Sequence, residues 1–214
     1  MQSVLSSQIG IVDDALPVAL TEALLSYAIA HEQDFRPATV GHYREEHAVA
    51  AEQRNALRCK TGLGRLDSDF RIAILGHFDA VLARVGVARF TPDDLEIELV
   101  AHRDGCFFAE HIDTYTGSPE RCGSFTRILS SVLYLHREPK AFSGGEICFH
   151  SLGGDEDWRV EPRHNRLVAF ASFDPHEVLP VSVPGDAFAD ARFSVNCWFS
   201  RADTRYGSQS AFSF

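Results

Sequence analysis

The chain has 214 residues, 45% hydrophobic and 23% charged, with a formal net charge of −10. That length suits one domain with a sizeable core, and the acidic balance argues against nucleic acid or an anionic membrane as the main partner. Five cysteines without a C-x-x-C pair exclude a disulfide framework or a zinc ribbon, and fit reduced thiols in a cytoplasmic protein.

The N-terminus, MQSVLSSQIGIVDDALPVAL, lacks the basic n-region of a secretory signal. No apolar run approaches the roughly eighteen residues that a membrane span needs. Residues 17–33 predict a helix with Pro17 near its start. Residues 36–64 are polar with scattered apolar positions and predict strand and loop. A second helix is predicted over 67–86: Asp67 can cap it, Phe70, Ile74, Phe78, Val81 and Val85 recur at spacings of three and four, and Gly86 stops it.

From residue 93 the pattern becomes β-rich. DLEIELVAHRDG alternates and ends in a turn. SFTRILSSVLYLH (124–136), GEICFHS (145–151), HNRLVAFASF (164–173), HEVLPVSV (176–183) and ARFSVNCWFSR (191–201) follow, separated by turn signals. Several short strands without intervening helices predict a sandwich, jelly roll or barrel. The fold class is therefore α+β, in a single domain over 1–214. Residues 1–93 supply helical and loop support and substrate-side elements, 94–201 form the β-core, and 202–214 are a tail.

Two H-x-D pairs lie at the start of this core. His102 and Asp104 precede Gly105, a turn position where aspartate commonly bonds its own backbone, so metal binding is not expected there. His111 and Asp113 follow the apolar stretch CFFAE. Residues two apart on a strand face one way, and a buried histidine and carboxylate need partners: a metal, or each other. His176 opens a later strand, and two imidazoles with one carboxylate make the facial triad of non-haem iron(II). Arg192 opens the next strand. Facing inward it needs an anion, either the carboxylate of a keto acid in two-point contact or a salt bridge to Asp186 or Asp190.

GCFFAEHIDT, LSSVLYLHREPKAFSGGEICFH, VEPRHNRLVAFASFDPHEVLPV and RFSVNCWF, in that order, resemble the iron(II)- and 2-oxoglutarate-dependent oxygenases of the prolyl-hydroxylase-like branch. The resemblance implies a double-stranded β-helix core buttressed by the N-terminal helices. It makes His111, Asp113 and His176 the iron ligands, and Arg192 the partner of the distal carboxylate of 2-oxoglutarate. Tyr134 supports that carboxylate through its hydroxyl, and Val132 shares its face of the co-substrate pocket. Gly144, Gly145 and Glu146 form a tight turn at the mouth, and Trp198 belongs to the core.

The implied reaction is hydroxylation of a C–H bond with iron(II), 2-oxoglutarate, dioxygen and, as a candidate reductant, ascorbate, releasing succinate and carbon dioxide. The expected substrate is a prolyl or other residue of a peptide or protein. A free amino acid or natural-product intermediate is the enzymatic alternative, and an oxygen- or 2-oxoglutarate-sensing module is the alternative from another class. Two departures stand out. His102 occupies a position where relatives usually carry tyrosine, which places it at the active-site mouth in contact with substrate or keto acid. Arg192 lies sixteen residues after His176, farther than in many relatives, which suggests a longer hairpin or loop over the mouth.

Overall fold

In β14 (Arg192–Ala202), strict alternation separates two environments. Phe193, Val195, Cys197 and Phe199 are buried against the helices, while Arg192, Ser194, Asn196 and Trp198 face the other way into the body of the core. The computed structural model describes residues 8–39, 50–114, 125–150 and 157–202.

The remaining strands, in chain order, are β1 (Gly10–Val12), β2 (Phe35–Pro37), β3 (Arg54–Asn55), β4 (Leu57–Cys59), β5 (Asp94–His102), β6 (Phe107–His111) and β7 (Phe125–Leu135), then β8 (Ser143–Gly144), β9 (Ile147–Phe149), β10 (Trp158–Val160), β11 (Leu167–Ala171), β12 (His176–Val178) and β13 (Val181–Ser182). A seven-stranded sheet runs β1-β11-β7-β14-β5-β4-β2 and a five-stranded sheet runs β10-β9-β12-β6-β3, all antiparallel, with β13-β8 as a separate ribbon. The two sheets close on one another through Tyr134, Val168 and Phe170 from the larger and Ile147, Phe149 and Val160 from the smaller. This is the jelly-roll, double-stranded β-helix arrangement expected from the β-rich half.

The outer face of the larger sheet carries the helices α1 (Val18–Ala30) and α2 (Asp67–Val85). Leu24 and Ala28 of α1, and Phe70, Ile74, Phe78 and Val81 of α2, bury against Leu99, Leu133, Ala169 and Val195. At roughly 25 cal/mol per Å² of apolar surface, each buried Leu, Ile or Phe contributes about 1.5–3 kcal/mol, so helices and sheet stabilise one another.

Both helices agree with the periodicity, with local corrections. α1 ends at Ala30, after which residues 32–34 form a 3-10 turn. Asp67 does not cap α2: a 3-10 turn over Gly64–Leu66 runs straight into the helix, so Asp67 is already helical and pairs with Arg71 at 2.6 Å instead. Gly86 stops α2 in the left-handed region at φ 72°, as predicted.

The N-terminal 93 residues do more than support the core. β1, β2 and β4 extend the larger sheet at its two ends, and β3 forms an edge of the smaller one. Buried Asn165 secures this segment: its side chain exchanges two 2.9 Å hydrogen bonds with the backbone of Leu16. HEVLPVSV is two strands, because Pro180 has no N–H to continue the ladder. Its carbonyl instead accepts from Gly145 at 3.2 Å.

The long segment before Arg192 is not a free flap. Arg103 pairs with Asp186, Arg137 pairs with Asp190, and Phe188 is buried against Phe35 and Phe193 on the helix side. No helix among the described residues is long and apolar enough to cross a membrane.

Candidate active site

β6 ends at His111 and β12 begins at His176, and the two are direct cross-strand partners with ring centroids 4.3 Å apart. Asp113 lies beyond the strand, so alternation alone does not align it with His111. The chain bends after His111, and the backbone N–H groups of Asp113 and Thr114 both donate to the Ser172 carbonyl, at 2.8 and 2.9 Å. That bend brings the Asp113 carboxylate between the rings: Oδ1 is 3.7 Å from His111 Nε2 and Oδ2 is 3.8 Å from His176 Nε2.

Each ring is oriented from behind. His111 Nδ1 stands 2.8 Å from the Ala109 carbonyl, and His176 Nδ1 stands 2.8 Å from the Asp174 carbonyl. A carbonyl only accepts, so each Nδ1 carries the proton and each Nε2 presents a lone pair toward Asp113. Three electron-rich groups thus converge, and their donor set suits a divalent metal in a facial triad.

The electrostatics agree. Burial, reinforced by His176, lowers His111 to about 4 against the opposing pull of Asp113. Burial alone would raise Asp113, but His176, His111 and a hydrogen bond from Ser130 outweigh it and hold the carboxyl below its usual range. A neutral His111 imidazole and an ionised Asp113 carboxylate are states that ligate metal.

The triad borders a cavity of about 490 Å³, its open mouth included, which Val132, Ile147, Phe170 and the inward row of β14 also line. Arg192 is 1% exposed. Its Nε donates to the Gly145 carbonyl at 2.8 Å, Nη1 lies 3.1 Å from His102 Nδ1, and the guanidinium sits 4.7 Å from the centre of the Tyr134 ring. Asp186 and Asp190, the two candidate salt-bridge partners, are engaged by Arg103 and Arg137 instead.

Gly145 is more than a turn residue. At φ 73° a side chain is strained, and a Cβ there would stand 2.7 Å from Arg192 Cδ, so only glycine lets the arginine lie against the turn. The Tyr134 hydroxyl is fully buried without a hydrogen-bond partner among the described residues, and burial raises its pKa, so it remains a donor.

His102 is 3% exposed and pairs in register with Arg192. It lines the cavity beside Arg192. Arginine can only donate, so His102 Nδ1 accepts and its proton resides on Nε2, which is buried without a partner among the described residues. Burial, then Arg192 and Arg54, hold its pKa well below the usual value.

The folded chain therefore refuses a proton that the unfolded chain takes at about pH 6.5, and stability declines as pH falls below that value. His102→Gln removes this component. The drop in melting temperature between about pH 7.5 and about pH 5 should be smaller in the variant. An identical drop would mean that His102 is not held neutral.

The structure thus brings His111, Asp113, His176, Arg192, Val132 and His102 to one cavity, sets Tyr134 behind it against Arg192, and keeps Asp104 apart. Asp104 does not bond its own backbone; its Oδ1 accepts from the Val183 N–H at 2.8 Å, tying two loops. Sequence reasoning missed several lining residues, four of them instructive. Ser194 and Asn196 could have been found by counting in twos from Arg192. Trp198, assigned to the core, is buried but lines the cavity, with the Arg127 guanidinium 4.1 Å from its ring centre. Arg54 gives no local signal; it reaches the cavity from β3, held by Glu98 at 3.0 Å.

Comparison with known proteins places this geometry. Residues 97–200 match the model of the 2OG-Fe(II) oxygenase superfamily. An uncharacterised PKHD-type hydroxylase of Synechocystis is 32% identical over 129 residues, 56% of this chain but 41% of that protein's length. Among solved structures, a Pseudomonas putida prolyl-4-hydroxylase superposes with TM-score 0.66 at 23% identity, covering 92% of this chain and 94% of that one. A Trichoplax adhaerens prolyl hydroxylase, bound to a hypoxia-inducible-factor degradation-domain peptide, gives TM-score 0.62 at 17% identity, covering 91% and 84%.

Proposed function

From a chain that belongs, through residues 97–200, to the 2OG-Fe(II) oxygenase superfamily, we propose an iron(II)- and 2-oxoglutarate-dependent dioxygenase that hydroxylates a prolyl or other residue of a peptide. One observation carries this reading: a fully buried arginine, not paired with Asp186 or Asp190, shares a cavity with a His/Asp/His triad.

His111, Asp113 and His176 are the residues that would hold iron, through Nε2, a carboxylate oxygen and Nε2. When bound, iron(II) with 2-oxoglutarate and dioxygen supplies the oxidation, giving succinate, carbon dioxide and a hydroxylated carbon. The protein's part is orientation and dryness. The Ala109 and Asp174 carbonyls fix both imidazole tautomers, and Ser130 steadies the carboxylate. Arg192 offers its fork to the distal carboxylate of the keto acid, and its charge is undiluted by water in that position. Tyr134 Oη and His102 Nε2 are two further buried donors for the same group, and Ser194 is a third.

The peptide assignment draws on the prolyl-hydroxylase fold and is tested by substrate. Iron-loaded protein is given 2-oxoglutarate and ascorbate with proline-containing peptides or with free amino acids, and succinate is measured. Succinate should rise with peptide and require iron. A rise with free amino acids alone would move the substrate to the small-molecule class. Iron binding without succinate from any partner would leave a sensing module.

A further inference from the structure

The outer face of the smaller sheet carries a second convergence. Phe149 and His176 point into the core, so alternation turns Cys148, His150 and Glu177 outward. Glu177 and Arg159 are the cross-strand neighbours of Cys148 on its two sides. Asp157, just ahead of β10, brings a carboxylate to the same place. One ligating atom each from Cys148, His150 and Asp157 lies within 4.8 Å of the others.

The His150 ring stands between two acids. Its Nδ1 is 3.3 Å from Asp157 Oδ1 and its Nε2 is 3.4 Å from Glu177 Oε1. Nε2 is buried and has no hydrogen-bond partner among the described residues. The adjoining Cys148 is 1% exposed. Arg159 is exposed and offers one positive charge against a thiol and two carboxylates.

We infer that Cys148, His150 and Asp157, with Glu177 beside them, form a second divalent-cation site of zinc class, on the sheet face opposite the triad. The donor set selects the metal: thiolate and imidazole favour zinc over iron(II), and the sulfur disfavours calcium or magnesium. Tetrahedral zinc with bonds of roughly 2.0–2.3 Å sets its donors roughly 3.3–3.8 Å apart. A closing movement of about 1 Å, on the scale of side-chain adjustment, brings the observed groups to that spacing. A cation there ties the end of β9 to the start of β10, and β9 pairs with β12, which presents His176 on its other face. The site braces the strand that supplies a triad histidine.

Cobalt(II) substitutes for zinc and reports a sulfur ligand by a strong thiolate-to-metal charge-transfer band in the near ultraviolet. The triad has no sulfur, so this band belongs to the second site alone. Titrated into the full-length Asp113→Ala protein, cobalt should produce the band at one equivalent, and zinc should displace it. Cys148→Ser should abolish the band, and His150→Gln should weaken cobalt by about tenfold or more. Absence of the band, its survival in Cys148→Ser, or unchanged affinity in His150→Gln would overturn the inference. Asp113→Ala lacks a triad ligand, so neither outcome depends on the oxygenase reading.

Discussion

Arg192→Ala is expected to weaken 2-oxoglutarate by at least about thirtyfold, because truncating one partner of a buried charge pair costs about 2–5 kcal/mol and about 1.4 kcal/mol is tenfold. Arg192→Lys should lose less, since it keeps the charge and surrenders only the two-point fork. Iron affinity should barely change in either. Stability should move the other way. In the keto-acid-free protein Arg192 is a buried cation whose assigned partners are a carbonyl and a neutral imidazole, and burial lowers its pKa. Such a charge is often replaced by an apolar side chain of similar length at no cost. Arg192→Met should therefore melt no lower than the parent while binding 2-oxoglutarate poorly. Isothermal titration of iron-loaded protein beside thermal melts reads both quantities. A stable Arg192→Ala or Arg192→Met protein with normal keto-acid affinity would sink the co-substrate assignment.

The second large effect is at Asp113. It is the anionic member of the triad, and its two oxygens face the two Nε2 lone pairs. Losing it should weaken iron by more than the tenfold to about hundredfold typical of an outer-shell partner, and peptide-dependent succinate should vanish. Asp104→Ala is the matched control. It removes one hydrogen bond, to Val183, which costs stability of about 1 kcal/mol and leaves iron affinity unchanged. If Asp104→Ala lost the metal and Asp113→Ala kept it, the triad would be misassigned.

The two arginines in the cavity show where sequence reading reaches its limit. Arg192 was legible because it opens an alternating β run and carries a family motif with it. Its neighbours Ser194 and Asn196 follow by the same count of two. Arg54 was not legible: it belongs to a two-residue strand, and its place beside Phe108 depends on the pairing of β3 with β6. Likewise, a histidine at 102 reads as a mouth residue until the register of β5 against β14 sets it beside Arg192, ninety positions away.

By itself the sequence determined what repeats locally or travels as a motif. The two helices follow from their apolar periodicity and the strands from alternation and turn residues, while a family pattern proposes His111, Asp113, His176 and Arg192 as the site. Tertiary structure alone decided the rest. It aligned Asp113 with His111 through a bend held by Ser172, chose both imidazole tautomers through backbone carbonyls, and gave Asp186 and Asp190 to other arginines. It also gathered Cys148, His150, Asp157 and Glu177 on one face. The physical reason is common to all four. Hydrogen bonds and ion pairs act over a few ångströms, and which groups come within that range is set by the register between strands far apart in the chain.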